Sequence, residues 1–357
     1  MSSSPSSDAS LLWSKSTWTP IYSPDTSPSS TLLIGYHKQS VPYLSSELHH
    51  HHPLQTLSVW IPPPFHSDEP NSSPTPPPPN YIPSSRKTTW IVYIHGGAWR
   101  DPKIDASSFH STALSLLSSS SPSSSDKSIS GIISLNYRLS AHPSSFSPSS
   151  SSDFQNNAKH PDHISDILSA FSFLEELGIE PTVTVGHSCG ATLAFESVMD
   201  PARWGLSSER NTTNKKPDVI VGVNGLYDLE GFIKNPPAGY ESLQKPYEEF
   251  VKGAFGEDEK VWRDVCPASC QGNWGKEWNG DDNNNNKQKK KVVLVQSRED
   301  GLVPYEQLEG LKRRIVEKEE GVIEVEEVDG TGWGQHDDAW KRGDKLAEVL
   351  RGVLGGL

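Results

Sequence analysis

The stretch Gly186-His187-Ser188-Cys189-Gly190 has the residue types of a mount for a nucleophile. The β-branched run Thr182-Val183-Thr184-Val185 enters it and the helix-prone run Ala191 to Met199 leaves it. On such a strand–turn–helix the glycines let the backbone bend sharply. Ser188 Oγ then stands clear of the sheet, and the helix N-terminus behind it favours developing negative charge. The chemistry implied is attack by a serine oxygen on an acyl carbon, which needs a base and an acid that orients the base. Both occur later in the chain. Lys291 to Gln296 reads as a strand and runs into Ser297-Arg298-Glu299-Asp300-Gly301-Leu302-Val303-Pro304, a turn carrying a carboxylate. Val322 to Val328 alternates like an edge strand and is followed by Gly332-Trp333-Gly334-Gln335-His336. Asp300 is the expected acid and His336 the expected base, with Glu299 as the alternative acid beside Asp300.

An acyl-transfer site also needs donors for the oxyanion. The continuous apolar run Thr89 to Ile94 has the character of a strand buried on both faces, and His95-Gly96-Gly97-Ala98-Trp99 follows it at once. Two glycines there allow the backbone to approach a substrate closely. The N–H groups of Gly97, Ala98 and Cys189 are the expected oxyanion donors, and His95, Gly96 and Trp99 complete the motif at the substrate pocket. For Trp99 two roles stay open, lining the pocket or packing in the core. The bland alternative for this stretch is a glycine turn with a structural His95.

The remaining histidines fit the role of base less well. Four of the 13 form the run His49 to His52, which reads as low complexity and as an adventitious metal binder. His160 and His163 open the helix that runs to about Leu177, where capping and packing account for them. His187 lies inside the elbow, a place for packing or pocket lining. Asp228 follows the strand Val219 to Asn224 and reads as a loop-structuring residue.

These loops must be carried by a sheet. Strands are expected at Leu32–Tyr36, Leu57–Ile61, Thr89–Ile94, Gly131–Tyr137, Thr182–Val185, Val219–Asn224, Lys291–Gln296 and Val322–Val328, with helices near Ala106–Leu117, before Leu177, after the elbow and from Ala339 to Val353. Alternation of strands and helices predicts an α/β fold: a mostly parallel eight-stranded sheet covered on both faces. Residues 1–30 are Ser/Pro-rich and expected to be disordered. Residues 31–357 are expected to form one domain with low-complexity loop insertions near 66–86, 118–128, 144–158, 207–216 and 275–291.

With a net charge of −13 and no basic stripe, the chain does not read as a nucleic-acid binder. It shows no apolar run of eighteen residues and no basic-then-apolar leader, so neither a membrane span nor a secretory signal is expected. Three cysteines, two of them in Cys266-Pro267-Ala268-Ser269-Cys270, make neither a disulfide framework nor a four-ligand zinc site. A reduced, cytoplasmic protein without a metal is the expectation.

Together, His95-Gly96-Gly97-Ala98-Trp99, Asn136-Tyr137-Arg138-Leu139-Ser140, His163-Ile164-Ser165-Asp166, Gly186-His187-Ser188-Cys189-Gly190-Ala191 and Asp300-Gly301-Leu302-Val303-Pro304 resemble the kynurenine formamidases, in particular the fungal branch of that α/β-hydrolase family. The resemblance begins near Leu57; the Ser/Pro- and Asn-rich insertions depart from the compact family pattern. It implies hydrolysis of N-formyl-L-kynurenine to L-kynurenine and formate in tryptophan breakdown toward NAD, with no metal or organic cofactor. A homodimer is compatible with it. A general carboxylesterase of the hormone-sensitive-lipase-like class is the main alternative, although that class usually carries H-G-G-G where this chain has H-G-G-A-W. A noncatalytic binding protein on the same fold is a more distant one, since such proteins typically lack a triad member.

Overall fold

A computed structural model of the chain describes residues 7–23, 32–45, 52–64, 75–83, 89–118, 129–142, 156–206, 215–280, 289–319 and 321–357. Its centre is a nine-stranded sheet. In chain order the strands are β1 (Thr19–Tyr22), β2 (Leu33–Pro42), β3 (Thr56–Ile61), β4 (Thr89–Ile94), β5 (Ile129–Leu135), β6 (Pro181–His187), β7 (Val219–Val223), β8 (Lys290–Ser297) and β9 (Ile323–Gly330). They lie in the order β1-β2-β3-β5-β4-β6-β7-β8-β9. The first three pairings are antiparallel and those from β5 to β9 are parallel.

The central parallel strands β4 to β8 are largely apolar because both faces are covered, and their side chains divide by period two between two cores, whereas β9 is the half-exposed edge. Trp90, Val92 and Ile94 of β4 face one core, while Ile91 and Tyr93 face the other; Val292 and Leu294 of β8 are likewise opposed to Val293 and Val295. On the first face pack α1 (Ser7–Ser14), α3 (Asp162–Glu176), α4 (Cys189–Glu196), the short helices α5 (Leu229–Lys234), α6 (Gln244–Phe255), α7 (Glu259–Asp264) and α8 (Trp274–Asn279), and α9 (Glu306–Lys318). On the second lie α2 (His110–Ser118), α10 (Asp338–Arg342) and α11 (Asp344–Gly355). The helix expected at Ala339–Val353 is thus two, broken at Gly343 (φ 74°).

The ninth strand corrects the expectation of eight and also that of a disordered N-terminus. Residues 7–22 form α1 and the edge strand β1. Trp13 and Trp18 are buried against β2, and Lys38 of β2, itself fully buried, donates from Nζ to Trp13 O (3.0 Å) and Pro79 O (2.6 Å). Its ammonium sits 4.6 Å from both tryptophan ring centroids. Burial pushes the Lys38 ammonium down to about 8. Residues 75–83, inside an expected insertion, are docked on the same patch through Trp13 Nε1–H donating to Tyr81 O (3.0 Å). Residues 275–279 of another expected insertion end α8. The segments 65–74, 84–88, 119–128, 143–155, 207–214 and 281–288, and residues 49–51 of the histidine run, lie outside the described residues. Among the described residues no helix is long and apolar enough to cross a membrane.

Candidate active site

Every loop expected to carry chemistry leaves the carboxyl end of a parallel strand. Between β6 and α4, Ser188 adopts φ 56°, ψ −124°, a conformation that L-residues take only when their surroundings impose it. The close packing of α4 on the sheet supplies that constraint. A Cβ on Gly190 would stand 2.2 Å from Ile94 O, and one on Gly186 2.4 Å from Ala191 Cα. Ser188 N–H donates to Val223 O (3.0 Å), fixing the elbow to the neighbouring strand.

The loop after β4 passes directly over the elbow, for a Cβ on Gly96 would lie 3.0 Å from Ser188 Cβ. Gly97, Ala98 and Trp99 all have positive φ (99°, 52° and 56°), and Trp99 N–H donates to Cys189 Sγ (3.3 Å), tying the loop to the start of α4. Gly97 and Ala98 are half-buried, whereas Trp99 is fully enclosed. The Trp99 ring packs edge-on against Phe255 (4.8 Å between centroids) and tilted against Phe250. Of the two roles left open for Trp99, core packing is the one this arrangement fills. The His95 ring stacks on Tyr137 at 4.4 Å, and Tyr137 Oη–H donates to His95 O. Burial pushes the His95 imidazole down to about 4, which makes it a neutral prop. Burial also pushes the Cys189 thiol up to about 11, so it is no rival nucleophile.

Behind this loop two of the sequence motifs meet. Asp166 is buried and accepts from Arg138 N (2.9 Å), from the Arg138 guanidinium (Nη2, 2.8 Å) and from Gln55 Nε2 (2.8 Å). Ser140 Oγ lies 3.0 Å from His163 Nε2, and Ser140 N–H donates to Trp99 O (2.8 Å). These residues brace the loop from below.

Asp300 and His336 come together at the ends of β8 and β9, with His336 Nδ1 2.7 Å from Asp300 Oδ2. The carboxylate also meets Gln296 Nε2 (3.1 Å) and, through Oδ1, the N–H groups of Leu302 (2.8 Å) and Val303 (2.9 Å). A carboxylate at Nδ1 holds the proton there, so the Nε2 lone pair is the one left for chemistry. Glu299 has different partners. It accepts from Gly332 N–H (2.9 Å) and Gly334 N–H (3.3 Å), gripping the loop that leads to His336. The Gly332 N–H foremost, with Ser297 Oγ next, holds the Glu299 carboxyl below the usual carboxylate range. Hydroxyls of the helical segment secure the acid loop from outside: Tyr247 Oη–H donates to Leu302 O (2.9 Å), and Tyr240 Oη–H to Asp300 O.

Asp228 caps α5 through Gly231 N–H (3.1 Å), a local structural job. The sequence reading passed over Asn224, which directly follows β7 with φ 47° and is fully buried between the elbow and the acid loop. The available signal was a polar residue closing an apolar central strand at the carboxyl edge, where ligands bind in open α/β sheets. His187, His336 and Asp337 bring one ligand atom each within 4.8 Å and could gather a divalent cation, at the cost of occupying His336. A separate cleft of about 370 Å³ between β9 and α11 is lined by Val293, Glu326, Trp333 and Lys345 among others, but by none of Ser188, Asp300 and His336.

The fold has solved counterparts among α/β-hydrolase esterases. An esterase B from Lactobacillus rhamnosis superposes with a TM-score of 0.58 at 13% identity, covering 90% of this chain and 86% of that one. A truncated carbohydrate esterase from gut microbiota gives 0.55 at 16% identity, covering 90% and 96%. The chain therefore has the α/β-hydrolase fold. No family model matches the chain. In sequence it is 33% identical over 323 residues to a kynurenine formamidase-like hydrolase of Fusarium equiseti, 88% of this chain and 93% of that one. It is 34% identical over 268 residues to a kynurenine formamidase of Aspergillus versicolor, 71% and 84% of the two chains. The chain belongs to the kynurenine formamidase family.

Proposed function

We propose that this protein hydrolyses the formamide of N-formyl-L-kynurenine to L-kynurenine and formate through a Ser188–His336–Asp300 relay. The observation that carries the proposal is the 2.7 Å pair between His336 and Asp300, set beside a strained serine elbow roofed by a glycine loop. His336 takes the Ser188 proton as Oγ attacks the formyl carbon. The N–H groups of Gly97, Ala98 and Cys189 meet the oxyanion, and the protonated imidazole then delivers its proton to the leaving aryl amine. Water enters as the second nucleophile and releases formate by the same route. The three cysteines are buried and free, which fits a reducing, cytoplasmic setting in which the product would pass along tryptophan breakdown toward NAD.

The test compares turnover of N-formylkynurenine with that of short-chain aryl esters, with and without a chelator. A kcat/KM for the formamide at least about tenfold above that for the esters, unchanged by chelator, supports the proposal. The reverse preference assigns a general carboxylesterase, and failure to turn over either substrate leaves a binding protein. Loss of activity on chelation, restored by zinc, overturns the serine route.

A further inference from the structure

We propose that His187 and Asn224 are positioning residues that hold the base by its own backbone, measuring the place of His336 from the nucleophile elbow. The inference rests on the serine relay proposed above. His336 O accepts two hydrogen bonds, from His187 Nε2–H (3.0 Å) and from Asn224 Nδ2–H (3.0 Å). Both donors are buried and distant in sequence, 149 and 112 residues from His336. Together they use both lone pairs of that carbonyl.

Each donor is itself locked. Asn224 Oδ1 accepts from Ser297 N–H (2.8 Å), and Asn224 N–H donates to Val295 O (2.9 Å). The amide can therefore point only its NH₂ at the base, because its oxygen faces another donor. Its left-handed backbone is one that asparagine tolerates better than most residues. For His187, a carbonyl acceptor fixes the proton on Nε2, and the Nδ1 edge of the ring abuts Gly96, where a Cβ would stand 2.8 Å from Nδ1. The loop they hold would otherwise be soft, since Gly332 (φ 72°) and Gly334 (φ 84°) precede His336.

The arrangement joins the parts that must stay in register. His187 is bonded to Ser188 through the chain, so a shift of the elbow moves the donor that holds the base. Asn224 links the same carbonyl to Val295 and Ser297 at the end of β8, whose following loop carries Asp300. Nucleophile, base and acid are thus referred to one atom, His336 O. The two imidazoles lie 4.7 Å apart, and burial pushes His187 well below the usual imidazole range. A misplacement on the order of 1 Å in a proton-transfer partner costs about 100-fold in rate, which sets the expected size of the effect.

The experiment compares His187→Gln, His187→Asn and Asn224→Asp in the full-length protein. Glutamine places an N–H where histidine Nε2 stands, whereas asparagine is too short to reach. Aspartate keeps the acceptor for Ser297 N–H but turns an oxygen toward the carbonyl. We expect H187Q to lose less than about fivefold in kcat, and H187N and N224D to lose about 100-fold. KM should change little, and the rate of Ser188 modification by a fluorophosphonate should fall in parallel with kcat. The proposal is overturned if folded H187N matches H187Q, or if folded N224D keeps kcat within threefold of wild type. Should N224D not fold, the H187Q and H187N pair decides. Failure of the wild-type protein to react with fluorophosphonate at Ser188 would instead sink the serine relay itself, a separate result.

Discussion

Two carboxylates are buried to almost the same degree and meet opposite fates. Asp300, in the loop after β8, is 3% exposed and touches four donors: the imidazole of His336, the side chain of Gln296 and the N–H groups of Leu302 and Val303. Glu196, the last residue of α4, is 0% exposed, and neither of its oxygens has a hydrogen-bond partner among the described residues. The His160 ring nitrogen nearest it is 3.7 Å away, and burial pushes the Glu196 carboxyl well above the usual carboxylate range. The difference comes from the backbone. A helix spends its N–H groups on its own carbonyls, so a side chain buried among helices finds few donors. A tight turn leaves N–H groups free to converge on one carboxylate. An acid that must serve a histidine therefore belongs on a loop, and a carboxyl buried on a helix without donors is driven toward its neutral form.

The comparison can be broken at the active-site end first. Ser188→Ala or His336→Ala should each lower kcat by at least about 10⁴-fold with the fold intact, and the double variant should be hardly worse, because the residues act as one unit. Activity of Ser188→Ala within tenfold of wild type, measured with N-formylkynurenine, would remove the relay. Next, Asp300→Asn should cost on the order of 10⁴ in kcat by losing the charge that stabilises the imidazolium. Glu299→Gln should cost only a few fold, since it touches loop backbone and not the imidazole. A reversal of those two results would mean that the wrong carboxylate has been paired with His336.

At the Glu196 end the readout is stability, not rate. The folded carboxyl titrates above its unfolded value near 4.5, so the folded state binds the extra proton and wild-type stability falls as pH rises past 4.5, by up to about 1.4 kcal/mol per pH unit until the folded value is reached. Glu196→Gln cannot titrate. Its thermal midpoint should exceed that of wild type at pH 8, and the gap should close as pH is lowered to 4.5, with kcat unchanged throughout. A gap independent of pH would show that Glu196 is ionised in the fold. The smallest effect belongs to Glu299, whose carboxyl titrates below its ordinary value. Its grip on Gly332 and Gly334 is complete above pH 4.5 and lost as pH falls through the lower folded value. Any difference in thermal midpoint between wild type and Glu299→Gln should accordingly vanish in that acid range, and a difference that persists there would assign it to packing.

Some of this could be read along the chain. The apolar run of β4, the alternation in β9 and the glycine-framed Ser188 are local signals, each contained in a few consecutive residues. The N-terminal region was harder, because the Ser/Pro-rich average of residues 1–30 hides the apolar Leu12, Trp13 and Trp18, all of which are buried. Strand β2 was expected to stop at Tyr36, where His37-Lys38-Gln39-Ser40 turns polar. It runs on to Pro42 through a bulge between Lys38 and Val41, since two tryptophans and two carbonyls accept the lysine.

What the sequence by itself determined was therefore the order of the strands from β2 onward and the kinds of residue in each loop after β4, β6, β8 and β9, because the periods and turn residues that encode them repeat within one element; the helices between β7 and β9 were not read from it. Only the tertiary structure decided which of two adjacent carboxylates meets His336, that Trp99 turns into the core, that Lys38 can be buried, and that His187 and Asn224 converge on one carbonyl. Those outcomes join residues up to 149 positions apart, and a donor finds its acceptor through space, in a direction set by packing that no local pattern carries.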